Sequence, residues 1–349
     1  METPALLDEL LRAGAPSGYE GPAAEVWRKA AGFADEQDTD GLGSSIARVG
    51  SEAPLLAIVG HIDEIGLLIT HIDEKGFLWF TSIGGWDPQI LVGQRVQVLT
   101  KDGPVPGVAG RKPIHLLDPD QRKKVVELKG MHIDIGATDG EEASSLVRVG
   151  DPVVIAAEPQ PVLGDRLVSK SMDNRLGAYV ALESLRRCAE GKGPQGSMAA
   201  VAAVQEEIGL FGARTAAFQL RPDVAIAVDV THATDAPGID EKELGSHPLG
   251  SGPVIGRGST LSPKVFELLV AAAEEAEIEH SIGASGNATH TDADAIQISR
   301  AGIPAGLVSI PLRYMHSPVE MVDLADVEAA VELIVALAES LAAEVDLSR

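Results

Sequence analysis

The sequence predicts an α/β domain that is interrupted by a small β-rich segment. Residues 54–60 (PLLAIVG) have the continuous apolar pattern of a buried strand. From about residue 67 to residue 160 the chain consists of short β-rich runs separated by Gly, Pro and Asp, and after residue 163 helical and strand patterns alternate. We therefore expect both ends of the chain to share one sheet, with the β-rich segment inserted as a small barrel or sandwich.

The individual elements follow from the spacing of apolar residues. The predicted helices cover residues 3–13, 21–31, 174–190, 262–276, 293–300 and 324–344. The predicted strands outside the β-rich segment cover residues 54–60, 198–205, 223–230 and 303–310. We find no internal repeat and no Gly-Ser linker, so we expect the inserted segment to pack against the remainder of the chain.

The charge of the chain excludes two classes of partner. It has 349 residues, with 52 acidic and 28 basic side chains and a formal charge of −24. No Lys- or Arg-rich run could follow phosphates or an anionic membrane surface, so we expect neither nucleic acid nor a membrane as partner. Glu, Asp or Gly interrupt the apolar stretches before they reach the roughly 20 residues of a membrane helix.

The single cysteine and the N-terminal segment point to a cytoplasmic location. Cys188 has no second cysteine with which to form an internal disulfide. The first residues (METPALLDELL) carry acids where a secretory signal needs positive charge and a long apolar stretch. We therefore expect a protein of the reducing cytoplasm.

Acids and histidines gather where predicted strands pass into loops, which is where an open α/β sheet places its functional site. Each segment alone is weak evidence, because Asp or His at a strand end is often a helix cap or a satisfied polar group of the core. The five segments are GHIDEIG (60–66), SMDNRLG (171–177), QEEIG (205–209), VDVT (228–231) and RYMHSP (313–318).

Taken together, these segments supply a ligand set for two metal ions. The set consists of His61, Asp173, Glu207, Asp229 and His316, which are two imidazoles and three carboxylates. Such donors suit Zn²⁺, Co²⁺ or Mn²⁺ better than Ca²⁺ or Mg²⁺, and one bridging carboxylate with two ligands for each ion uses all five. Acids that converge at one sheet edge would repel each other unless cations neutralised them.

The motifs, in this order, resemble the tetrahedral aminopeptidase family, which includes glutamyl, leucyl and deblocking aminopeptidases, some of them labelled endoglucanases. The resemblance covers nearly the whole chain. It is carried by GHIDEIG (60–66), GGW…LVGQRV (84–96), IDIGATDGEEA (133–143), SMDNRLG (171–177), QEEIGLFGA (205–213) and RYMHSP (313–318).

The resemblance implies a fold, an activity and an assembly. The fold is a mixed-sheet di-metal exopeptidase catalytic domain, formed by residues 1–67 and 161–349, with an inserted small β-barrel-like domain at residues 68–160. The activity is metal-dependent removal of N-terminal residues from short peptides. The assembly is a homododecamer built from dimers, a tetrahedral shell with its active sites facing an inner chamber. We expect the inserted domain to take part in oligomerisation and to contribute nothing to the metal ligands.

The resemblance also assigns roles to the ligands. It implies that Asp173 bridges two divalent ions, Zn²⁺ or Co²⁺ and possibly Mn²⁺. His61 and Asp229 then complete one metal site, and Glu207 and His316 complete the other.

Two further acids match positions of the family that bind no metal. Glu206 resembles the general base, which takes a proton from the attacking water and passes it to the departing amine. Asp63 resembles the acid that orients His61 through its second ring nitrogen. Neighbouring side chains of a strand point to opposite faces, so Glu206 and Glu207 can share one pocket only if the chain turns; we expect the turn at Ile208 and Gly209.

The remaining histidines are expected to be ordinary surface or core residues. His290 lies in THTDADA (289–295), where the family usually has Gly-Thr-Asp-Ala, and we expect Thr and Asp of this segment to cap a helix rather than bind metal. Of the others, His232 is the nearest in sequence to a candidate ligand. The complete set of these others is His71, His115, His132, His232, His247 and His280.

Three other functions share part of this chemistry. A deacylase acting on N-acyl amino acids would use the same metal chemistry, and only pocket residues that hold a free α-amine or a carboxylate separate it from an aminopeptidase. A glycosidase uses two carboxylates and no metal, which the histidines argue against. A structural metal site is typically closed and rich in Cys, whereas this set leaves positions for water.

Overall fold

The computed structural model describes residues 1–342 and 345–347. The described residues form α-helices and β-strands that alternate along most of the chain. The helices are α1 (Ala5–Arg12), α2 (Gly21–Ala30), α3 (Pro88–Leu91), α4 (Gly140–Leu146), α5 (Met172–Glu190), α6 (Phe211–Leu220), α7 (Glu241–Leu244), α8 (Pro263–Glu275), α9 (Asp292–Gln297) and α10 (Leu324–Ser340).

The strands belong to three sheets. They are β1 (Glu36–Thr39), β2 (Ser45–Val49), β3 (Leu55–His61), β4 (Gly66–Ile72), β5 (Leu78–Ile83), β6 (Arg95–Thr100), β7 (Gly103–Arg111), β8 (Met131–Asp134), β9 (Pro152–Ile155), β10 (Gln160–Pro161), β11 (Arg166–Ser169), β12 (Ser197–Ala203), β13 (Val224–His232), β14 (Val254–Gly258), β15 (Ser281–Ser285), β16 (Ala305–Leu312) and β17 (Glu320–Asp323). No helix within the described residues is both long and apolar enough to span a bilayer.

The main sheet has eight strands in the order β1-β2-β12-β3-β13-β16-β14-β15. Its four central strands, β12, β3, β13 and β16, run parallel. Strand β2 joins β12 antiparallel and β14 joins β16 antiparallel, so the sheet is mixed. Strands from both ends of the chain therefore form one sheet, as the sequence predicts.

The central strands are mostly apolar because helices cover both faces of the sheet. Every residue of β3, β12 and β16 is buried. Alternate residues of β3 face opposite layers: Leu56 and Ile58 pack with α1, α5 and α10, whereas Ala57 and Val59 pack with α6 and α9. The period of two along a strand thus divides the core into two layers.

The inserted segment forms a closed barrel with the strand order β4-β5-β8-β7-β6-β9. Alternating residues such as Val96 and Val98 on β6 fill its interior, together with Leu67, Ile69 and Val153. This cluster is separate from the cores on the two faces of the main sheet. The barrel confirms the prediction that this part of the chain consists of short β-strands.

The predicted helices and strands are all present, with shifted ends. Strand β12 ends at Ala203, two residues before its predicted end, and α9 ends at Gln297, three residues early. Helix α10 ends at Ser340, and residues 343 and 344 of that prediction lie outside the described residues. A third sheet of strands β10-β11-β17 was not predicted, because strands of two to four residues carry too short a pattern to be read.

Candidate metal centre

Two candidate ligands lie at the ends of neighbouring parallel strands. His61 is the last residue of β3, and Asp229 lies near the end of β13, which pairs with β3. The carboxyl ends of parallel strands meet at one edge of a sheet, so the two side chains converge. The Nε2 atom of His61 lies 4.0 Å from Oδ1 of Asp229.

Two glycines, Gly60 and Gly177, allow helix α5 to approach the ends of strands β3 and β13. A Cβ atom on Gly60 would lie 2.2 Å from the carbonyl carbon of Gly177 in α5, and a Cβ on Gly177 would lie 2.3 Å from the carbonyl oxygen of Val228. Real side chains do not fit at such distances. The glycines of the segments 60–66 and 171–177 therefore bring α5 into contact with β3 and β13.

Asp173 lies at the start of α5, where the backbone departs from helical geometry (φ −79°, ψ 102°). The next residue anchors it, because Asn174 donates from Nδ2 to the carbonyl oxygen of Val228 at 2.8 Å. The two carboxylate oxygens of Asp173 face different histidines. Oδ1 lies 3.1 Å from Nε2 of His61, and Oδ2 lies 3.2 Å from Nε2 of His316.

The glutamate pair follows β12 in a turn. Gln205 has a left-handed backbone (φ 57°), so the turn begins before the two glutamates and not at Ile208 and Gly209, where we expected it. Both carboxylates then face the centre. Oε1 of Glu207 lies 3.2 Å from Nε2 of His316, and Oε2 of Glu206 lies 3.7 Å from Nε2 of His61.

Asp63 stabilises the turn that carries Glu206 and Glu207. Its side chain is fully buried and accepts hydrogen bonds from the backbone N–H groups of Glu206 (3.1 Å) and Glu207 (3.2 Å). The hydroxyl of Ser17 donates to the same carboxylate at 2.6 Å, and Nδ1 of His61 lies 3.4 Å from it. Burial opposes ionisation, but the contact with His61 and these hydrogen bonds lower the pKa of Asp63.

His316 lies in the loop between β16 and β17, with a left-handed backbone (φ 58°). Its Nδ1–H donates to the carbonyl oxygen of Gly85 at 2.9 Å, which turns Nε2 toward the centre. Gly85 lies in the inserted segment, just after β5. The inserted segment provides no candidate ligand side chain, but its backbone orients one of the candidate ligands.

Glu320 was missed by sequence reasoning. It is 2% exposed at the start of β17, and it accepts hydrogen bonds from the backbone N–H groups of His316 (2.9 Å) and Asp173 (3.2 Å). Burial and the neighbouring charge of Asp173 raise the pKa of Glu320. The only signal in the sequence was an acid four residues after His316, beyond the segment that we singled out.

Buried acids without cations make the centre electrostatically unfavourable. Burial, together with the charges of Asp229 and Asp292, raises the pKa of Glu206 to about 10. Burial likewise raises the pKa of Asp229 and of Glu207. Asp292, in α9, is a second residue that sequence reasoning did not place here; burial raises its pKa to about 7.

The pKa of His316 is also raised, but for a histidine this favours the charged form. Burial opposes its charge, but hydrogen bonds to Asp173 and Glu207 outweigh this effect and raise the pKa of His316 to about 11. The same neighbours explain Asp173: burial opposes its ionisation, but His316 and His61 lower the pKa of Asp173. When no cation is bound, protonated histidines of the cluster therefore supply positive charge next to its carboxylates.

These residues could hold metal ions. Ligand atoms of His61, Glu206 and Asp229 lie within 4.8 Å of one another, and so do those of His61, Asp173 and Glu207. Divalent ions would replace the protons that the buried acids otherwise retain. The donor set of imidazole nitrogens and carboxylate oxygens fits ions such as Zn²⁺, Co²⁺ and Mn²⁺.

The histidines that we expected to be ordinary lie outside this cluster. His290 is exposed, and its backbone N–H donates to Asp294 at 2.8 Å, while Thr291 caps α9. His232 is exposed at the end of β13. His247 is buried but bonded through its ring to Ser281 and to a backbone carbonyl, as a core histidine should be.

Comparisons with known proteins agree with one another. Residues 43–333, which contain the candidate ligands, match the model of the M42 glutamyl aminopeptidase family. The chain is 36% identical over 341 residues to a lysyl aminopeptidase of Pyrococcus furiosus, covering 96% of each protein.

Solved structures of similar proteins have the same fold. A TET aminopeptidase from a marine sediment archaeon of the Thaumarchaeota has a TM-score of 0.91 and 36% identity, covering 96% of this chain and 95% of that one. The TET1 peptidase of Pyrococcus horikoshii has a TM-score of 0.85 and 34% identity, covering 96% and 99%. That peptidase is described as assembling into a tetrahedron or a large octahedral shell.

Proposed function

This chain belongs to the M42 glutamyl aminopeptidase family, and we propose that it removes the N-terminal residues of short peptides with two divalent metal ions that share Asp173. Its relatives identify it as an aminopeptidase, a hydrolase of peptide bonds. The observation that carries the two-metal proposal is the orientation of Asp173. Its two oxygens face the Nε2 atoms of His61 and His316 at 3.1 and 3.2 Å, which is the arrangement that a carboxylate shared by two ions needs.

The remaining ligands divide between two sites. His61 and Asp229, from the strand ends, would complete one, and Glu207 and His316, from the turns, would complete the other. The 3.2 Å separation of Glu207 and His316 supports this division. Zn²⁺, Co²⁺ and Mn²⁺ are the ions that these donors favour.

Glu206 would act as the general base. When bound, the two ions supply Lewis acidity, which polarises the scissile carbonyl and lowers the pKa of the attacking water from 15.7 toward about 7. Glu206 would take a proton from this water and deliver it to the departing amine. Asp63 would keep this carboxylate in place, because it binds the backbone N–H of Glu206 and also lies against His61.

Removal and replacement of metal tests the proposal. Chelation should abolish hydrolysis of amino-acid anilides, and Co²⁺, Zn²⁺ or Mn²⁺ should restore it. N-acyl amino acids, assayed in parallel, should remain intact; their hydrolysis in place of the anilides would identify a deacylase. Full peptidase activity in exhaustively metal-free protein would contradict the two-metal mechanism.

We extend the proposal to assembly and to the division of the chain. Residues 1–67 and 161–349 would form the catalytic domain, and residues 68–160 a domain for dimerisation within a homododecamer. The barrel has its own core, and the connection between its strands β7 and β8 exposes large apolar side chains, with Leu116 and Val125 each 65% exposed. Such side chains on a chain of charge −24 favour contact with another subunit.

Sedimentation tests the assembly. The intact protein should sediment as a large closed oligomer, and a variant with Leu116→Asp and Val125→Asp should form smaller species. Leu163→Asp, at a side chain 93% exposed outside the barrel, is the matched control and should leave the size unchanged. Deleting residues 68–160 would be a poorer test, because it also removes Gly85 from His316. A fully active monomer would contradict the assembly.

A chamber also predicts selectivity for substrate size. The oligomer should cleave short peptides and spare the exposed N-termini of folded proteins. The smaller species of the barrel variant should lose part of this selectivity, which competition between a short peptide and a folded protein would measure.

A further inference from the structure

Glu320 stands out among the buried acids because its two hydrogen bonds go to the backbone of two candidate ligands. Oε1 accepts the N–H of His316 at 2.9 Å, and Oε2 accepts the N–H of Asp173 at 3.2 Å. These two residues are 143 positions apart and lie on different elements. One carboxylate therefore joins the loop after β16 to the start of α5.

The short third sheet fixes the position of Glu320. Strand β17 pairs with β11 so that Glu320 lies opposite Ser169, just before Asp173 along the chain. The carboxylate is 2% exposed and forms no ion pair within 4 Å among the described residues. The ammonium of Lys170 is nearby but is bound by Glu64, at 2.7 and 2.9 Å. The hydrogen bonds of Glu320 thus connect it to the candidate metal centre and not to charged groups at the surface.

Asp63 uses the same arrangement on the other turn, where it accepts the N–H groups of Glu206 and Glu207. His61 and Asp229 lie within the sheet and have no contact of this kind with Glu320. A loss of Glu320 would therefore free the backbone at His316 and Asp173, while the strand ends would keep their geometry. Because Asp173 faces both histidines, both sides should respond, and the His316 side should respond more strongly since Glu320 holds two of its candidate ligands.

We infer that Glu320 is a positioning residue that holds the His316 side of the centre, and that the ion bound there depends on it. This inference rests on the proposed function, since it requires ions at the centre. A carboxylate is suited to the role because it accepts two N–H groups at once. Partners of metal ligands typically contribute about 10- to 100-fold to metal affinity.

The test is the metal affinity of Glu320→Gln. Glutamine keeps the shape, but its amide offers one acceptor and one NH₂ donor, so one of the two backbone N–H groups would face a donor. In Co²⁺ titrations of chelator-treated protein, we expect one ion to bind about 10- to 100-fold more weakly and the other to be weakened less. Equilibrium dialysis gives the stoichiometry without reference to activity.

Glu64→Gln is the matched control. Glu64 is also buried (3% exposed), but its partners are Lys170, Arg175 and the N–H of Ala15, none of which is a candidate ligand. This variant should lower the thermal stability at least as much as Glu320→Gln while retaining two ions. If Glu64→Gln lost the same ion to the same degree, the effect of Glu320 would be general destabilisation and the inference would be overturned.

Comparison with His316→Gln identifies which ion is lost. Both single variants should weaken the same ion, and the double variant should lose less affinity than the two losses added together, because both changes act on one site. Two ions bound by Glu320→Gln with unchanged affinity, or equal weakening of both ions, would overturn the inference. If Glu320→Gln fails to fold, Glu320→Asp should show a smaller loss at the same site. A wild-type protein that binds no divalent ion would instead contradict the proposed function itself.

Discussion

His61 and Asp229 lie within the buried strands of the main sheet, whereas Glu207 and His316 lie in turns outside it. Strand pairing within the main sheet fixes the first pair, because His61 lies opposite Ala203 of β12 and Asp229 lies opposite Ser309 of β16. The second pair depends on acceptors supplied from elsewhere: Asp63 for the turn at Glu207, and Glu320 and Gly85 for His316. The two halves of one centre are therefore stabilised by different means.

This difference separates the residues whose substitution should affect folding from those whose substitution should affect metal binding. The strand ends require close packing, so they should be most sensitive to substitution of glycines such as Gly60. The turns require hydrogen-bond acceptors, so their weak points are buried carboxylates. Asp173 and Asp63 contact both halves, so the halves are coupled, and a change in one half should affect the ion of that half most strongly.

The largest expected effect separates the two neighbouring glutamates of the turn. Glu206→Gln should keep both ions but lower kcat by about 10²–10⁴-fold, because it removes the proton acceptor and leaves the ligands in place. Glu207→Gln should instead lose one ion, because it removes a ligand. Metal analysis and steady-state kinetics on both variants distinguish the outcomes.

Asp229→Asn provides the comparison from the strand-end half. It should weaken the ion opposite to the one that Glu207→Gln releases. If Glu206→Gln lost metal and Glu207→Gln retained it, the roles of the two glutamates would have to be exchanged. If Asp229→Asn and Glu207→Gln released the same ion, the division of the centre into two halves would be wrong.

An intermediate effect concerns the packing of the strand-end half. Gly60→Ala would place a Cβ atom 2.2 Å from the backbone of Gly177, and such overpacking costs about 1–3 kcal/mol. We expect a clearly lower thermal midpoint, measured by circular dichroism at matched metal content. Gly85→Ala is the control in the turn half, because its Cβ would lie 3.5 Å from the nearest atom, Nδ1 of His316. Equal thermal midpoints for Gly60→Ala and Gly85→Ala would contradict the proposed difference between the two halves of the centre.

The smallest expected effect is a difference in released protons. In metal-free protein the pKa of His316 is raised to about 11, so its imidazole is protonated at pH 8. A metal ligand must be deprotonated, and metal binding at pH 8 should therefore release this proton. His316→Gln should release about one proton fewer in weakly buffered titrations with an indicator dye. An unchanged proton count would contradict a His316 that is protonated at pH 8 in the metal-free protein.

The sequence alone determined the fold class and indicated which acids and histidines are candidate ligands. Continuous apolar runs such as residues 54–60 identify strands covered on both faces, and the acids and histidines at their ends follow from the position of the site in an open sheet. Residues 198–205 and 223–230 were read in the same way, with ends shifted by one or two positions. Local patterns were sufficient because the signal for each element lies within the element itself.

Tertiary structure decided how the candidate ligands are held. Glu320 binds the backbone of Asp173 across 147 residues, and Gly85 binds His316 across 231. A hydrogen bond from a side chain to a distant backbone N–H leaves no pattern in the sequence, since any residue except proline supplies that N–H. The contribution of the barrel to the centre was missed for this reason: its contact with His316 is a backbone carbonyl, which every residue has and only the folded chain can place.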